Sequence, residues 1–422
     1  MLLLWILTLM YGLAGFLIND YFSVHIYLTV SFIGISSILL LFVLLKNYYK
    51  FAGLIFLSFT VRVGLMLVDL YAGDLFTVPH SGDDTENFYA TGLKVANDMT
   101  MLGESIYGGT YSHLLGILFS VYGDDRLFAQ YLNILIAVTT IVIVIQIFRM
   151  LEVPLKIQII LAAVMAFFPH SLIFSAILLR ESIISLLVVC SLYFFIKWYK
   201  FKGNHNISFS IILAVVGGMF HTGVIGILIG YIFALIFYRH DSGKLKLTLK
   251  SVLPFALLAA GGLYLLMFPE IFSTLPLFNK FEQELSNNKN IYDVFNTERG
   301  ESAYLTNLEI NNFLEMIIFA PLKILYFIGS PMPWTLRNLS DLISFFLDSV
   351  FYLFAAFVFI KNWYLLKKNP LLLIILISLV SGWLIFGLGI SNAGTALRHR
   401  FKLFYLIIIA LSLIWSKKKR QD

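Results

Sequence analysis

Residues 207–238 read ISFSIILAVVGGMFHTGVIGILIGYIFALIFY, an apolar stretch that holds no Asp, Glu, Lys or Arg. About 20 helical residues cross a membrane core of roughly 30 Å, so the stretch is too long for one straight crossing. Clusters of basic residues flank it on both sides, and such clusters favour the cytoplasm. Because both flanks are then on the same side, the stretch has to cross twice or not cross fully. We predict two short helices that meet at an outward-facing break at His221.

The rest of the chain repeats this apolar pattern. Of its 422 residues, 59% are hydrophobic and 13% are charged, whereas a soluble domain carries about 25% charged residues. The apolar runs are continuous and do not alternate, which indicates helices, and helices satisfy the backbone within a membrane. We predict an all-α, polytopic transmembrane helix bundle. Its other spans are expected near 1–18, 26–45, 51–70, 126–148, 157–179, 182–196, 249–268, 340–360, 370–389 and 401–415.

Charge sorting between the loops predicts the orientation. The short loops and the C-terminal tail are rich in Lys and Arg, which assigns them to the cytoplasm. Residues 71–110 and 269–312 are acidic and are assigned to the outside. The alternation gives about 12 crossings with both termini cytoplasmic, in a single integral membrane domain that covers residues 1–422.

Two further apolar segments do not fit the alternation. Residues 111–122 are too short to span, and Phe313 to Gly329 would reverse every later loop if it crossed. We predict that both are interfacial helices on the outer face. The first large outer loop with its interfacial helix then covers 71–125, and the second covers 269–339.

Some classes of function are excluded by composition. The net charge is +6, but the basic residues stand beside helix ends and form no patch, so no nucleic-acid partner is expected. A single cysteine, Cys190, lies within an apolar run, which argues against a disulfide or a thiol metal cluster. The start of the chain lacks the positive charge of a signal peptide, so we expect a retained first helix.

The first outer loop carries adjacent carboxylates, Asp83 and Asp84, directly after the flexible Gly82. Such a pair suits a general base. With Glu86 it could instead hold a divalent cation, so the need for a metal stays open. Asp69 is expected to add to the same cluster. The alternative is an acidic loop that is simply solvated.

Charges at helix ends and breaks are the next candidates, because a charge inside a membrane is costly. Pro169 should kink the helix near 157–179, and His170 and Arg180 could then face a common cavity beside Glu181. The alternative is an ordinary kink with an Arg–Glu pair. His221 is a weaker candidate, because a loop histidine is often only hydrogen-bonded. Arg62 is expected to be a structural charge partner of Asp69.

The strongest basic feature on the outer side is Arg398, His399 and Arg400, before the last helix. Positive charge at the outer edge needs an anionic partner, and the planar guanidinium suits phosphate or diphosphate. The alternative is contact with ordinary anionic head groups. The segment 331–334, PMPW, with Arg337 close by, is expected to form a wall of the outer cavity or an anchor at the head groups.

Taken together, these features resemble the GT-C superfamily of membrane glycosyltransferases, and within it the proteins similar to exopolysaccharide and O-antigen polymerases. The resemblance covers most of the chain from about residue 50. It is carried by Asp83 and Asp84 with Tyr89, by 168–170 (FPH) with 179–181 (LRE), by 330–334 (SPMPW), and by 392–395 (NAGT) with 398–400 (RHR). We do not expect the separate outer domain that is usual in this superfamily, because this sequence contains no long polar stretch.

The resemblance implies sugar transfer at the outer face of the cell membrane, most simply a bacterial plasma membrane. The donor would be a sugar linked to polyprenyl phosphate or diphosphate, and the acceptor would be a glycan. Asp83 or Asp84 would act as the base, and Arg398, Arg400 and Arg180 would hold the carrier's phosphate. His170, Glu181, His221, His399 and Arg337 would support the site. A flippase for lipid-linked oligosaccharides and a non-catalytic scaffold are the alternatives.

Overall fold

The computed structural model describes residues 1–18, 25–267 and 302–418, and these are almost entirely helical. The tail beyond 418 and most of the predicted second outer loop, 268–301, lie outside the described residues. The helices are α1 (Leu2–Ile18), α2 (His25–Tyr71), α3 (Asp83–Asn97), α4 (Thr110–Tyr122), α5 (Arg126–Met150), α6 (Leu155–Phe167), α7 (Pro169–Ala176), α8 (Glu181–Phe201), α9 (Asn204–Phe220), α10 (Ile227–Phe237), α11 (Leu249–Met267), α12 (Phe313–Gly329), α13 (Leu339–Ser344), α14 (Val350–Lys361), α15 (Pro370–Gly389), α16 (Ala393–Phe401) and α17 (Phe404–Lys418).

Short elements join these helices. Strands β1 (Tyr238–Arg239) and β2 (Lys244–Leu245) pair antiparallel, with Tyr238 opposite Leu245. Short 3₁₀ helices lie at Met99–Met101, Thr222–Gly226, Pro333–Thr335 and Trp363–Lys368. A π-helical turn lies at Phe345–Ser349.

The helices are long and apolar enough for a membrane protein. Five candidate spans meet that test among the described residues: Tyr27–Tyr71, Arg126–Met150, Glu181–Phe201, Leu339–Lys361 and Pro370–Gly389. A sixth results if α6 and α7, which meet at an angle of 48°, are counted as one broken span. The chain is therefore an all-α protein of membrane type. The 12 crossings and the cytoplasmic position of both termini stay predictions.

The chain divides into two compact units. The first contains Met1–Arg149 and Pro154–Leu186, and the second contains Met150–Val153 and Leu187–Asp422. The acidic first loop, Arg62, His170 and Arg180 belong to the first unit. His221, Arg337, Arg398, His399 and Arg400 belong to the second unit, and each unit is described by itself below.

Two predicted breaks are present in the helices, and a third predicted interruption is only a kink. α9 ends at Phe220, and His221 is extended (φ −160°, ψ 115°) before the turn that leads into α10. α6 and α7 separate at Pro169, which starts the second helix. The helices predicted at 26–45 and 51–70 are instead joined in α2, where Tyr48 alone leaves helical geometry (φ −139°, ψ 34°).

Tyr48 is held at this interruption by α5. Its hydroxyl accepts a hydrogen bond from Gln146 Nε2 at 2.7 Å, and the Arg149 guanidinium lies 4.6 Å from the ring centroid. A residue with two such partners can keep a non-helical conformation within an otherwise continuous helix.

In the second unit, α10 packs on α15 at backbone distance. A Cβ built on Gly226 would lie 2.9 Å from Gly382 Cα, and one on Gly230 would lie 2.6 Å from the Ile374 carbonyl oxygen. Gly226 and Gly230 are four residues apart, as are Ser378 and Gly382, so each helix offers a small face to the other. This is the small-residue contact typical of membrane helices, where close backbone approach replaces the hydrophobic effect.

We expect Gly230→Leu to destabilise the protein strongly, by about 3 kcal/mol or more, because the side chain would meet the backbone of α15. Thermal unfolding in detergent measures the effect. Gly64→Leu is the matched control, since a Cβ at Gly64 meets nothing within 4 Å. Equal melting temperatures for the two variants would contradict the packing described here.

Candidate functional site

The first acidic loop continues into a tight helical hairpin of the first unit. α3 and α4 pack through glycines: a Cβ on Gly92 would lie 2.9 Å from Leu115 Cβ. Asp83 is the first residue of α3, and its side chain lies outside the described residues. Asp84 follows it, is half-buried, and accepts a hydrogen bond from the Tyr107 hydroxyl. The hairpin therefore fixes one of the two predicted acids.

An aromatic cluster connects Asp84 to Arg180. The Phe88 ring, one turn after Asp84, lies 5.5 Å from the Tyr107 ring and 5.2 Å from the Tyr111 ring. The Arg180 guanidinium stands 5.7 Å from the Phe88 centroid. The loop passes Phe88 closely at Gly108, whose positive φ of 80° and lack of a Cβ both fit a glycine. A predicted acid and a predicted phosphate ligand are thus brought around one ring.

Asn133 positions the segment that carries Arg180. Its Nδ2 donates to the carbonyl oxygens of Ile177 at 3.2 Å and Leu179 at 2.9 Å, in the gap between α7 and α8. The next residue after Arg180, Glu181, is fully buried. Burial raises the pKa of the nearby Tyr111 hydroxyl, and the negative charge of Glu181 raises it further. Sequence reasoning missed Asn133, although an amide inside an apolar helix was a usable signal.

A second polar network joins α3 to the start of α5. Arg126 donates to both carboxylate oxygens of Glu86, at 2.8 and 2.9 Å, and lies 3.9 Å from Asp69. Gln130 donates to Asp69 at 2.7 Å. This network was also missed, because Asp124, Asp125 and Arg126 read as an ordinary helix start.

Tyr89 completes this network. Its ring lies 5.3 Å from the Arg126 guanidinium, and its hydroxyl donates to Asp124. Burial, followed by the hydrogen bond to Asp124, raises the pKa of Tyr89 to about 12, so this phenol stays protonated at neutral pH.

The predicted cation site at Asp83, Asp84 and Glu86 loses one member to this network, because Glu86 is engaged by Arg126. Within 1–18, 25–267 and 302–418, no group of three or more His, Cys, Asp or Glu side chains is arranged to hold a metal ion.

In both units, a buried arginine donates hydrogen bonds to carbonyl oxygens in the last turn of a helix. Arg62 is fully buried and donates to the Ala166 carbonyl oxygen at 3.0 Å, in the last turn of α6. It also donates to Ser175 at 2.9 Å and Ser171 at 2.8 Å, on α7. The last carbonyls of a helix need partners where water is absent. Asp69, the predicted partner of Arg62, is bonded instead by Gln130.

Arg400 has the same kind of role in the second unit. It is 0% exposed and donates to the Phe327 and Ile328 carbonyl oxygens, at 3.2 and 2.9 Å, in the last turn of α12. Its ion-pair partner is Asp348, also 0% exposed, in the π-helical turn. The anion that faces Arg400 is therefore a carboxylate of the protein, which differs from the predicted lipid phosphate. Lys402, two residues further along the chain, is also buried.

Lys323 caps a third helix end. Its ammonium group donates to the Leu388 carbonyl oxygen at 3.1 Å, near the end of α15. Burial lowers the pKa of Lys323 to about 8. This contact explains a lysine within the apolar segment Phe313–Gly329, whose predicted position at the membrane surface stays a prediction.

Four of the histidines contact each other in two pairs, one pair in each unit. The His221 and His399 rings lie 4.3 Å apart, and both contact Phe386. His221 Nδ1 also accepts the Gly223 amide hydrogen at 3.3 Å, which matches the hydrogen-bonded alternative. In the first unit, the His170 ring stacks on Phe174. The ring of His80, in the acidic loop, lies 5.7 Å from the His170 ring.

The remaining predicted residues lie at the surface of the second unit. Arg337 forms an ion pair with Asp341 at 2.9 Å, close to the wall segment 331–334. Arg398 is half-buried on α16, whose start is held by an antiparallel bridge between Ala303 and Asn392. Of the predicted site, the structure brings together Asp84 and Arg180 in one unit and His221 and His399 in the other. Comparison with protein-family models, curated proteins and solved structures finds no match to this chain.

Proposed function

We propose that this protein is a membrane glycosyltransferase or polymerase of surface polysaccharide synthesis, which uses a polyprenyl-phosphate-linked or polyprenyl-diphosphate-linked sugar at the outer membrane face. The observation that carries the proposal is the arrangement around Phe88, with Asp84 at one end and Arg180 at the other. A carboxylate and a guanidinium on one rigid aromatic cluster suit a general base and a phosphate ligand.

The arginines differ in what their guanidinium groups contact. Arg62 and Arg400 use their guanidinium groups on carbonyl oxygens within the protein. Arg180 stacks on an aromatic ring at a helix start and keeps a half-buried position. We assign the carrier's phosphate to Arg180 first, because Arg180 belongs to the same unit as Asp84. The role of Arg398 as a phosphate ligand stays a prediction.

In the proposed step, the acceptor hydroxyl oxygen attacks the anomeric carbon of the donor sugar. The hydroxyl proton passes to the carboxylate of Asp84 or its neighbour Asp83. The bond from the anomeric carbon to the phosphate oxygen breaks, and its electron pair leaves with the carrier. The guanidinium of Arg180 stabilises the negative charge that grows on that phosphate.

A flippase for lipid-linked oligosaccharides is the second candidate. The helix breaks at His221 and Pro169 favour it, since interrupted helices are common where transporters bind their substrates. The two functions differ in one measurable respect: a glycosyltransferase forms a new glycosidic bond in detergent, and a flippase does not.

The test is to incubate the purified full chain in detergent with a lipid-linked oligosaccharide from the host envelope and to follow elongation by mass spectrometry. We expect longer products from the wild type. Arg180→Gln should lower kcat/KM by about 10²-fold, because one charge-stabilising donor is lost. Lys94→Gln, on the exposed face of α3, is the control of equal charge change.

Two outcomes would count against the proposal. Movement of the lipid-linked substrate across a vesicle membrane, with no elongation in detergent, would favour the flippase. Elongation at wild-type rate by Arg180→Gln would remove Arg180 from the site.

A further inference from the structure

An apolar groove of about 540 Å³ runs between α14 and α15 in the second unit. Phe359 and Ile360 form one wall, and Leu373 and Val380 form the other. From Leu373 to Trp383, both of which line the groove, a helix rises about 15 Å at 1.5 Å per residue. The groove therefore has the shape for an extended hydrocarbon chain.

The opposite end of the groove is strongly basic. Trp363 and Leu366 line it, in the turn that joins the two helices. Lys367 Nζ lies 5.7 Å from the Trp363 ring, and Lys361 and Lys368 stand at either end of the same turn. Lys417 Nζ donates to the Lys368 carbonyl oxygen at 3.0 Å, which adds a fourth positive charge.

These charges are not balanced by the protein within the described residues. The ion pairs found there involve other cations, and none joins Lys361, Lys367, Lys368 or Lys417 to a carboxylate. Like charges held close together repel each other, so an external anion would relieve the repulsion. A free anion would not fill the neighbouring apolar groove, whereas a lipid with an anionic head group would also fill it.

We propose that this groove and its basic turn bind one anionic phospholipid, with an acyl chain between α14 and α15 and the phosphate at Lys361, Lys367 and Lys368. Lysines beside a membrane helix attract anionic head groups, and their flexible stems reach the head-group level. Trp363 suits the same level, because its ring is amphipathic. The site is independent of the proposed glycosyl transfer.

The experiment uses the purified full chain and native mass spectrometry, with phosphatidylglycerol and phosphatidylcholine of identical acyl chains as probes. We expect the wild type to retain one phosphatidylglycerol at least about tenfold more tightly than phosphatidylcholine. The triple variant Lys361→Gln, Lys367→Gln, Lys368→Gln should lose this preference. The control is a second triple variant, Lys46→Gln, Lys50→Gln, Lys156→Gln, which removes the same amount of charge elsewhere. This control should keep the preference for phosphatidylglycerol.

The groove is tested separately with Val380→Trp, which fills it from an exposed position. We expect this variant to lose the retained lipid, whereas Ile385→Trp should keep it, because Ile385 is also exposed on the same helix (42% against 49% for Val380) but does not line the groove. Equal retention of the two lipids by the wild type, or equal behaviour of the two triple variants, would overturn the proposal. A lipid retained by Val380→Trp would remove the groove from it.

Discussion

Asp84→Asn is expected to reduce glycosyl transfer by about 10²- to 10⁴-fold, the range for loss of a positioned general base. The substitution keeps the shape of the side chain and the hydrogen bond from Tyr107, but removes the capacity to accept a proton. The rate of elongation of a lipid-linked substrate in detergent measures the loss. Asp83→Asn is tested beside it, because the two carboxylates are adjacent at the start of α3.

Two controls make this prediction specific. Glu104→Gln removes an exposed carboxylate from the same loop and should leave the rate unchanged. Tyr107→Phe removes only the donor to Asp84, so a smaller loss of roughly fivefold is expected, since one hydrogen bond contributes about 1 kcal/mol. Wild-type transfer by both Asp83→Asn and Asp84→Asn would refute the assignment of the base to this loop.

Asp348→Asn is expected to destabilise the protein by about 3–5 kcal/mol, because it leaves the Arg400 charge buried without a carboxylate. Both side chains are 0% exposed, so water cannot compensate. Chemical denaturation in detergent micelles measures the free energy of unfolding. The exposed pair in the same unit is the control: Asp341→Asn, which breaks the contact with Arg337, should cost about 1 kcal/mol or less.

A double variant separates the structural role of Arg400 from ligand binding. Asp348→Asn with Arg400→Met removes both charges, so it should be more stable than Asp348→Asn alone. A protein stabilised in this way but inactive would return Arg400 to the list of phosphate ligands. Full activity in the double variant would show that Arg400 contributes by holding the last turn of α12 and the π-helical turn.

Much of the fold could be predicted from residues close together in the chain. Continuous apolar stretches of spanning length indicate membrane helices, since a membrane core leaves the backbone few alternatives. Pro169 and the glycines around His221 predicted two breaks, and both breaks are present. Asp83 and Asp84 were recognisable as candidates because they are adjacent carboxylates in an acidic loop, directly after Gly82.

The roles of the charged residues depended on the tertiary structure. Arg62 and Lys323 stand in apolar segments, and Arg400 was predicted to bind a lipid phosphate, yet each has a helix-end carbonyl as a partner. Those carbonyls belong to residues about 65 to 104 positions away.

Local hydropathy and charge were thus sufficient to determine that this chain forms membrane helices and where several of them break, because burial in a lipid environment acts on each segment separately. Only the folded chain decided which cations cap helix ends, and that Arg180 and Tyr107, the hydrogen-bond donor to Asp84, both lie beside the Phe88 ring. Such partnerships depend on distances between segments that are remote in sequence, and residue order does not encode those distances in any local pattern.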